Sequence, residues 1–245
     1  MIGGGQAGLA AGYYLRRAGR RFTILDAGEE IGESWRKRWD SLRLFTPARY
    51  NALPGSKFPA SPYTLPGKDD VADYLRGYAR EFELPVRLRT SVASLRHDGR
   101  RFVLDTERGD TITAASVIVA TGANQRPHVP EFASQIAGHV TQLHSSRYRR
   151  PDQLPGGKVL VVGAGNSGVQ IALDLVAAGR EVLLSGRDTG SIPRTLMGRD
   201  IYDWLWPTLM RFTNDSRIGR CLMGGRLYSG DPLIGMKASE VERPG

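Results

Sequence analysis

The sequence predicts an α/β fold with two strand–turn–helix–strand units and a β-hairpin or meander inserted in the first. Three observations carry that prediction. Residues 2–28, "IGGGQAGLAAGYYLRRAGRRFTILDAG", align without a gap on residues 162–188, "VGAGNSGVQIALDLVAAGREVLLSGRD". In each, an apolar strand end meets a G-x-G-x-x-G turn, then an amphipathic helix and a second apolar strand. Between them, residues 100–122 read as a hairpin followed by a continuous apolar run.

Composition bounds the class. The chain has 245 residues, enough for one large domain or two modest ones. Forty per cent hydrophobic and 24% charged is ordinary for a soluble globular protein. Cys221 is the one cysteine, which excludes a disulfide framework, a CxxC redox pair and a cysteine-rich metal site. It fits a reducing cytoplasm, the expected location. No apolar run approaches the ~20 residues needed to cross a bilayer; residues 204–210, "WLWPTLM", are few and are broken by Pro207. The start, "MIGGGQAG", lacks the basic and apolar regions of a signal peptide. A net charge of +9 raises the question of nucleic acid. The arginines are scattered, however, and no nucleic-acid-binding motif accompanies them, so nucleic acid is not an expected partner.

The elements follow in order. Ile2 ends the first strand. Gly3 permits the tight turn, Gly5 lets backbone approach a pyrophosphate, and Gly8 allows close packing of helix on strand. Gln6 and Ala7 open the helix, whose free N–H groups suit phosphate. Gly19 stops it. The second strand ends at Asp26, whose carboxylate can accept ribose hydroxyls and would repel a 2′-phosphate. The first unit therefore suits FAD or NAD. Residues 32–55 read as a loop rich in tryptophan and arginine. Residues 69–84 read as a helix, with Val71, Leu75, Tyr78 and Phe82 on one face and Asp69 as its cap. Residues 86–95 alternate as a strand. The hairpin turns at Gly109 and Asp110. Residues 116–122 read as a buried strand whose end, Ala120-Thr121-Gly122, can bring backbone close to a cofactor. Residues 147–158 read as a linker.

The second unit repeats the glycines at Gly163, Gly165 and Gly168, with Asn166 and Ser167 between the last two. Opposite Asp26 stands Gly186, followed by Arg187. A guanidinium can clamp a 2′-phosphate through two parallel hydrogen bonds, so this unit suits NADPH. The competing reading of Arg187 is a solvated arginine at a strand end. Residues 202–212, "YDWLWPTLMRF", read as a partly buried amphipathic piece, and residues 221–245 are rich in glycine.

The ordered stretches "GGGQAG", "GESWRKRWDSLRLFTP", "ATGANQRPHVP", "HSSRYRRP" and "VVGAGNSG" resemble bacterial members of the flavin-containing monooxygenase family. The plant indole-pyruvate monooxygenases belong to the same group. The resemblance implies an FAD/NAD(P)-binding fold of two Rossmann-like units. Residues 1–150 would bind FAD, and residues 151–245 would bind NADPH. It implies that NADPH reduces FAD and that O2 then gives a C4a-hydroperoxyflavin, which oxygenates a small organic substrate. The expected partners are therefore that substrate and O2. No catalytic side chain is assigned and no metal is expected. Gly3, Gly5, Gln6, Ala7, Gly8 and Asp26 match the family's FAD fingerprint. Trp35 matches a tryptophan near the flavin dinucleotide, Val92 a strand position whose backbone meets the adenine, and Thr121 lies in the ATG strand. Core packing is the competing reading for Trp35 and Val92. Gly163, Gly165, Asn166, Ser167, Gly168 and Arg187 match the NADPH fingerprint.

The chain also departs from the family. In the identifying stretch F-x-G-x-x-x-H-x-x-x-[F/W], Gly138 and His144 stand too far apart, and Tyr148 replaces the last aromatic residue. His144 reads as a loop-shaping residue. Family members begin earlier and continue well beyond residue 245. This implies a fragment whose FAD domain lacks its start and its C-terminal return, and whose NADPH domain is incomplete. A Baeyer–Villiger or N-hydroxylating relative, a non-oxygenating flavoprotein and an inactive fragment are the alternatives.

Overall fold

Ile2 has parallel neighbours on both sides in a computed structural model of the chain, which describes residues 1–123, 126–211 and 232–241. The chain packs as two compact units. One is Met1–Arg38 with Ala48–Gln135, and the other is Trp39–Pro47 with Ile136–Gly245.

In the first unit, the first residues supply one short strand of a parallel set. Ile2 donates its N–H to the Ile118 carbonyl at 2.9 Å, Ala120 N–H donates to Ile2 at 2.8 Å, and Gly3 N–H to Leu25 at 2.8 Å. Helix α1 (Gln6–Arg17) follows the glycine turn and buries Gly8, Leu9 and Gly12. Arg16 and Arg17 sit in its last turn, where positive charge offsets the exposed carbonyls. Strand β1 (Ile24–Leu25) is buried between Ile2 and the later strand β2 (Val86–Arg87), again in parallel.

Helix α2 (Glu33–Arg36) begins at Gly32, which has φ 87°. A Cβ there would lie 2.7 Å from Ala72 Cα, so glycine is what lets α2 rest on helix α3 (Lys68–Glu81). The expected apolar face of α3 is buried at Val71, Leu75 and Tyr78. Its cap differs from the expectation at Asp69. The helix starts one residue earlier, and Asp70 accepts the N–H of the cap residue Gly67 at 2.8 Å. Asp69 instead pairs with Arg36 at 3.1 Å.

Residues 86–95 were expected as one strand and form two. After β2 the backbone bends, and β3 (Val92–His97) starts an antiparallel meander with β4 (Phe102–Thr106) and β5 (Thr111–Ala114), β4 in the centre. The hairpin turns at Gly109, φ 88°, as its residues require. Residues 116–122 differ from the expected buried strand. Val119 is 61% exposed, because this stretch pairs only with Ile2 among the described residues.

In the second unit, β6 (Val159–Val162) and β7 (Val182–Ser185) pair in parallel through four residues each, joined by α4 (Asn166–Ala177). The helix buries Val169, Ile171, Ala172 and Leu175. Beyond it, β8 (Ser191–Ile192) pairs in parallel with the later β11 (Leu233–Ile234), and β9 (Thr195–Leu196) pairs with β10 (Arg199–Asp200) as a hairpin. Of the amphipathic piece at 202–212, residues 202–211 fall in helix α5 (Ile201–Arg211), which carries Pro207 inside it, and Phe212 lies outside the described residues. Much of residues 221–245 lies outside the described residues, including Cys221.

Residues 39–47 pack in the second unit although they precede most of the first. Trp39 is buried, Asp40 N–H donates to Arg149 at 2.8 Å, and Gln170 of α4 bonds both backbone groups of Arg43. The stretch 147–158 is more than a linker. Tyr148 is buried, and its hydroxyl donates to Asp174 of α4 at 2.7 Å.

Candidate functional site

Two glycine turns are the candidate sites, one in each unit. In the first, Gly3 has φ 104°, and a Cβ on it would lie 2.3 Å from the Ala120 carbonyl oxygen. The backbone at residues 118–120 therefore meets the glycine turn at this residue. A Cβ on Gly8 would lie 1.9 Å from the Gly3 carbonyl oxygen. The first turn of α1 rests directly on the loop that feeds it. A Cβ on Gly5 would meet nothing within 4 Å, so this residue faces open space at the helix start. Gln6 and Ala7 are exposed there, and no side chain caps the helix. Free N–H groups at an uncapped helix start favour a phosphate.

Asp26 stands beside the turn. One of its carboxylate oxygens accepts Gly4 N–H at 2.6 Å and the other accepts Gly28 N–H at 2.8 Å. Each oxygen keeps a second lone pair for a ribose hydroxyl. Val92 follows two residues after Thr90, whose N–H donates to the Asp26 carbonyl at 2.8 Å. Thr121 follows Ala120, and its nitrogen would lie 3.1 Å from a Cβ on Gly3. Asp26, Thr121 and the three glycines therefore gather at one end of the parallel strands, and Val92 opens β3 two residues along the chain from Thr90. Trp35 is half-buried on α2, close to Glu33, which accepts the Glu29 N–H at 3.0 Å. The hydrogen bond from Lys37 is the largest influence holding Glu33 below the usual carboxylate range.

The second unit repeats the steric relations. Gly163 has φ 113°, and its N–H donates to Ser185 at 2.7 Å. A Cβ on Gly168 would lie 1.8 Å from the Gly163 carbonyl oxygen, and one on Gly165 would meet nothing. Ser167 is exposed. Asn166 donates through Nδ2 to the Pro232 carbonyl at 3.2 Å, while its Oδ1 is buried with no partner among the described residues. At Gly186 a Cβ would lie 2.4 Å from Ala164 N and 2.9 Å from its Cβ. The missing carboxylate is thus a matter of space as well as charge. In the first unit Gly4 leaves room for Asp26; in the second Ala164 fills that room and position 186 is glycine. Arg187 is exposed and makes no hydrogen bond or ion pair among the described residues.

The residues present fit two dinucleotides. Both second glycines face open space, both third glycines let the helix sit on the turn, and both helix starts are uncapped by side chains. His144 accepts Ser146 N–H through Nδ1 at 3.1 Å and so shapes its own loop. Among the described residues no group of His, Cys, Asp and Glu could hold a metal ion, and no helix is long and apolar enough to cross a membrane.

The profile of the family described as "Pyridine nucleotide-disulphide oxidoreductase" matches residues 1–218. An uncharacterized CzcO-like oxidoreductase of Geobacillus kaustophilus is 42% identical over 247 residues, covering 100% of this chain and 69% of that protein. The indole-3-pyruvate monooxygenase YUCCA1 of Oryza sativa subsp. japonica is 33% identical over 81% of this chain and 50% of its own length. The solved structure of a flavin-containing monooxygenase from Stenotrophomonas maltophilia shares 38% identity and superimposes with a TM-score of 0.69. That match covers 75% of this chain, which spans 55% of the solved one. The shared fold is the mixed α/β fold of FAD/NAD(P)-binding flavoproteins. The chain belongs to the pyridine nucleotide-disulphide oxidoreductase family, in the part of it that holds the flavin-containing monooxygenases.

Proposed function

We propose that the chain serves an FAD- and NADPH-dependent monooxygenase that oxygenates a small organic substrate. In this reading both units are Rossmann-like, and the meander β3–β5 is an insertion in the first. The first unit takes FAD and the second takes NADPH. One observation carries the reading. The same turn is built twice with the same steric relations, but with Asp26 beside one copy and Gly186-Arg187 beside the other.

FAD, when bound, accepts electrons from NADPH and passes them to O2. The chain's own residues bind and orient. The N–H groups at the start of α1, at Gln6, Ala7 and Gly8, face the FAD pyrophosphate across the space left at Gly5. Asp26 accepts ribose hydroxyls, backbone at Val92 meets the adenine, and Thr121 lies where residues 118–120 reach the turn. Trp35, on α2, would lie near the flavin dinucleotide. In the second unit Gly163, Gly165, Asn166, Ser167 and Gly168 form the matching cradle, and Arg187 holds the 2′-phosphate. Dithiol chemistry of the kind the family's name describes has no support within these residues, since 245 residues carry the one cysteine.

The test uses the FAD-loaded protein, mixed anaerobically with NADPH or NADH. NADPH is expected to bleach the flavin faster than NADH does. Arg187→Ala is expected to cost ~1.5–3 kcal/mol of preference for NADPH, the scale of a charged hydrogen bond. Flavin that stays oxidised under NADPH would count against every monooxygenase reading. An unchanged NADPH/NADH ratio in Arg187→Ala would sink the role of that residue alone.

A further inference from the structure

Three described residues other than glycine adopt the left-handed backbone: Glu83 (φ 48°), Arg89 (φ 52°) and Met197 (φ 51°). Two have local reasons. Glu83 follows the last turn of α3, with its N–H on the Arg80 carbonyl at 3.1 Å, where helices commonly end left-handed. Met197 and Gly198 form the two-residue turn between β9 and β10, which calls for positive φ. Arg89 is in neither setting. It lies between β2 and β3, where the chain leaves the parallel sheet for the meander.

Two backbone bonds hold that bend. Arg89 N–H donates to the Gly28 carbonyl at 2.9 Å, and Thr90 N–H donates to the Asp26 carbonyl at 2.8 Å. Residue 89 is thereby pinned to the segment that carries Asp26. Glycine or asparagine would hold a left-handed bend more cheaply than arginine. Strain retained beside a binding site points to work done by the side chain. The Arg89 side chain is exposed and makes no hydrogen bond or ion pair among the described residues. It is a long cation on a backbone bonded to the main-chain carbonyl of Gly28, two residues past Asp26, and it stands three residues before Val92.

We propose that Arg89 is a further nucleotide-binding residue, whose guanidinium stacks on the adenine of the dinucleotide held at Asp26. The inference rests on the reading of the first unit as the FAD site. A planar cation over an aromatic face gains most when both are shielded from water, and adenine packed toward Val92 offers such a face.

Arg89→Asn tests it, because asparagine keeps the left-handed bend and removes the cation. Arg89→Lys keeps the charge and removes the planar stack. Apoprotein melting and titrations with FAD and with NADPH are measured on each. For Arg89→Asn the melting point of the apoprotein is expected to stay level or rise by about 2 °C. FAD binding is expected to weaken about tenfold, with Arg89→Lys in between. NADPH affinity is expected to stay within about twofold, since the other unit carries it. FAD affinity unchanged in Arg89→Asn overturns the inference and leaves the FAD reading standing. So does a loss of FAD binding that comes with a lower apoprotein melting point, because that marks a structural residue. A wild-type protein that takes up no FAD overturns the reading of the first unit, and the inference with it.

Discussion

Gly5 and Gly8 stand in the same turn and differ in what a methyl group would meet. At Gly5 it meets nothing within 4 Å; at Gly8 it meets a backbone oxygen at 1.9 Å, with no flexible side chain to move aside. Gly5→Ala is therefore expected to keep the apoprotein within about 1 kcal/mol of wild type, the scale of changing a cap residue. It should still weaken FAD uptake at least about tenfold, because the methyl group occupies the approach of the pyrophosphate. Gly8→Ala is expected to destabilise the apoprotein by about 2–3 kcal/mol, since α1 must lift off the turn. Urea unfolding of both apoproteins and a fluorescence titration with FAD separate the two. Equal stability of Gly8→Ala and wild type would contradict the close packing. The three glycine roles were legible in the sequence because each depends on neighbours within a few residues. The exchange of Asp26 for Gly186 was legible as a change of charge, but the part that Gly4 and Ala164 play in it was not. Only the 2.4 Å approach to Ala164 N shows that space, and not charge alone, keeps a carboxylate from position 186.

Two helices are fastened through buried phenols. On α3, Tyr78 donates its hydroxyl to the Pro54 carbonyl at 2.6 Å, and on α4, Asp174 accepts from Tyr148. Burial is the first cause pushing both phenols above their ordinary value near 10; for Tyr148 the hydrogen bond to Asp174 adds to it. The raised value fixes the sign of the pH dependence. Below pH 10 both states hold the proton, and the full contribution to stability is present. As pH rises past 10, the unfolded chain releases these protons while the folded chain keeps them, so stability falls toward the folded-state values. The urea midpoint is expected to stay level from pH 8 to about 9.5 and then drop, with a shallower drop in Tyr78→Phe. Tyr148→Phe should also lose about 1 kcal/mol at neutral pH, because Asp174 loses its donor. A midpoint that ignores pH up to 11 would sink the account. The α3 face was legible from the spacing of Val71, Leu75 and Tyr78. The placement of Trp39 was not. A short apolar segment does not declare which of two cores it joins, and 39–47 joins the later one through Arg149 and Gln170.

At the scale of the whole chain, the repeat of residues 2–28 in residues 162–188 was legible because each copy is one continuous stretch of local pattern. The extent of the sheets was not, because it depends on pairing between distant segments. Ile2 finds Val119 and Leu25, and β1 finds β2, across separations that periodicity alone does not encode. The duplication has a consequence that hydrogen exchange can read amide by amide. Each nucleotide should slow exchange chiefly where its own unit closes on it. FAD is expected to protect amides in residues 3–9, 26–28, 89–92 and 120–122, since these meet at the first turn. NADPH is expected to protect residues 163–169 and 185–189, around the second. Arg187→Ala should reduce the second pattern at low NADPH concentration and leave the first intact. Gly5→Ala should do the reverse with FAD. Protection of the first turn by NADPH in the absence of FAD would mean that Asp26 does not separate the two ligands, and the division of labour drawn from Asp26 and Arg187 would fail.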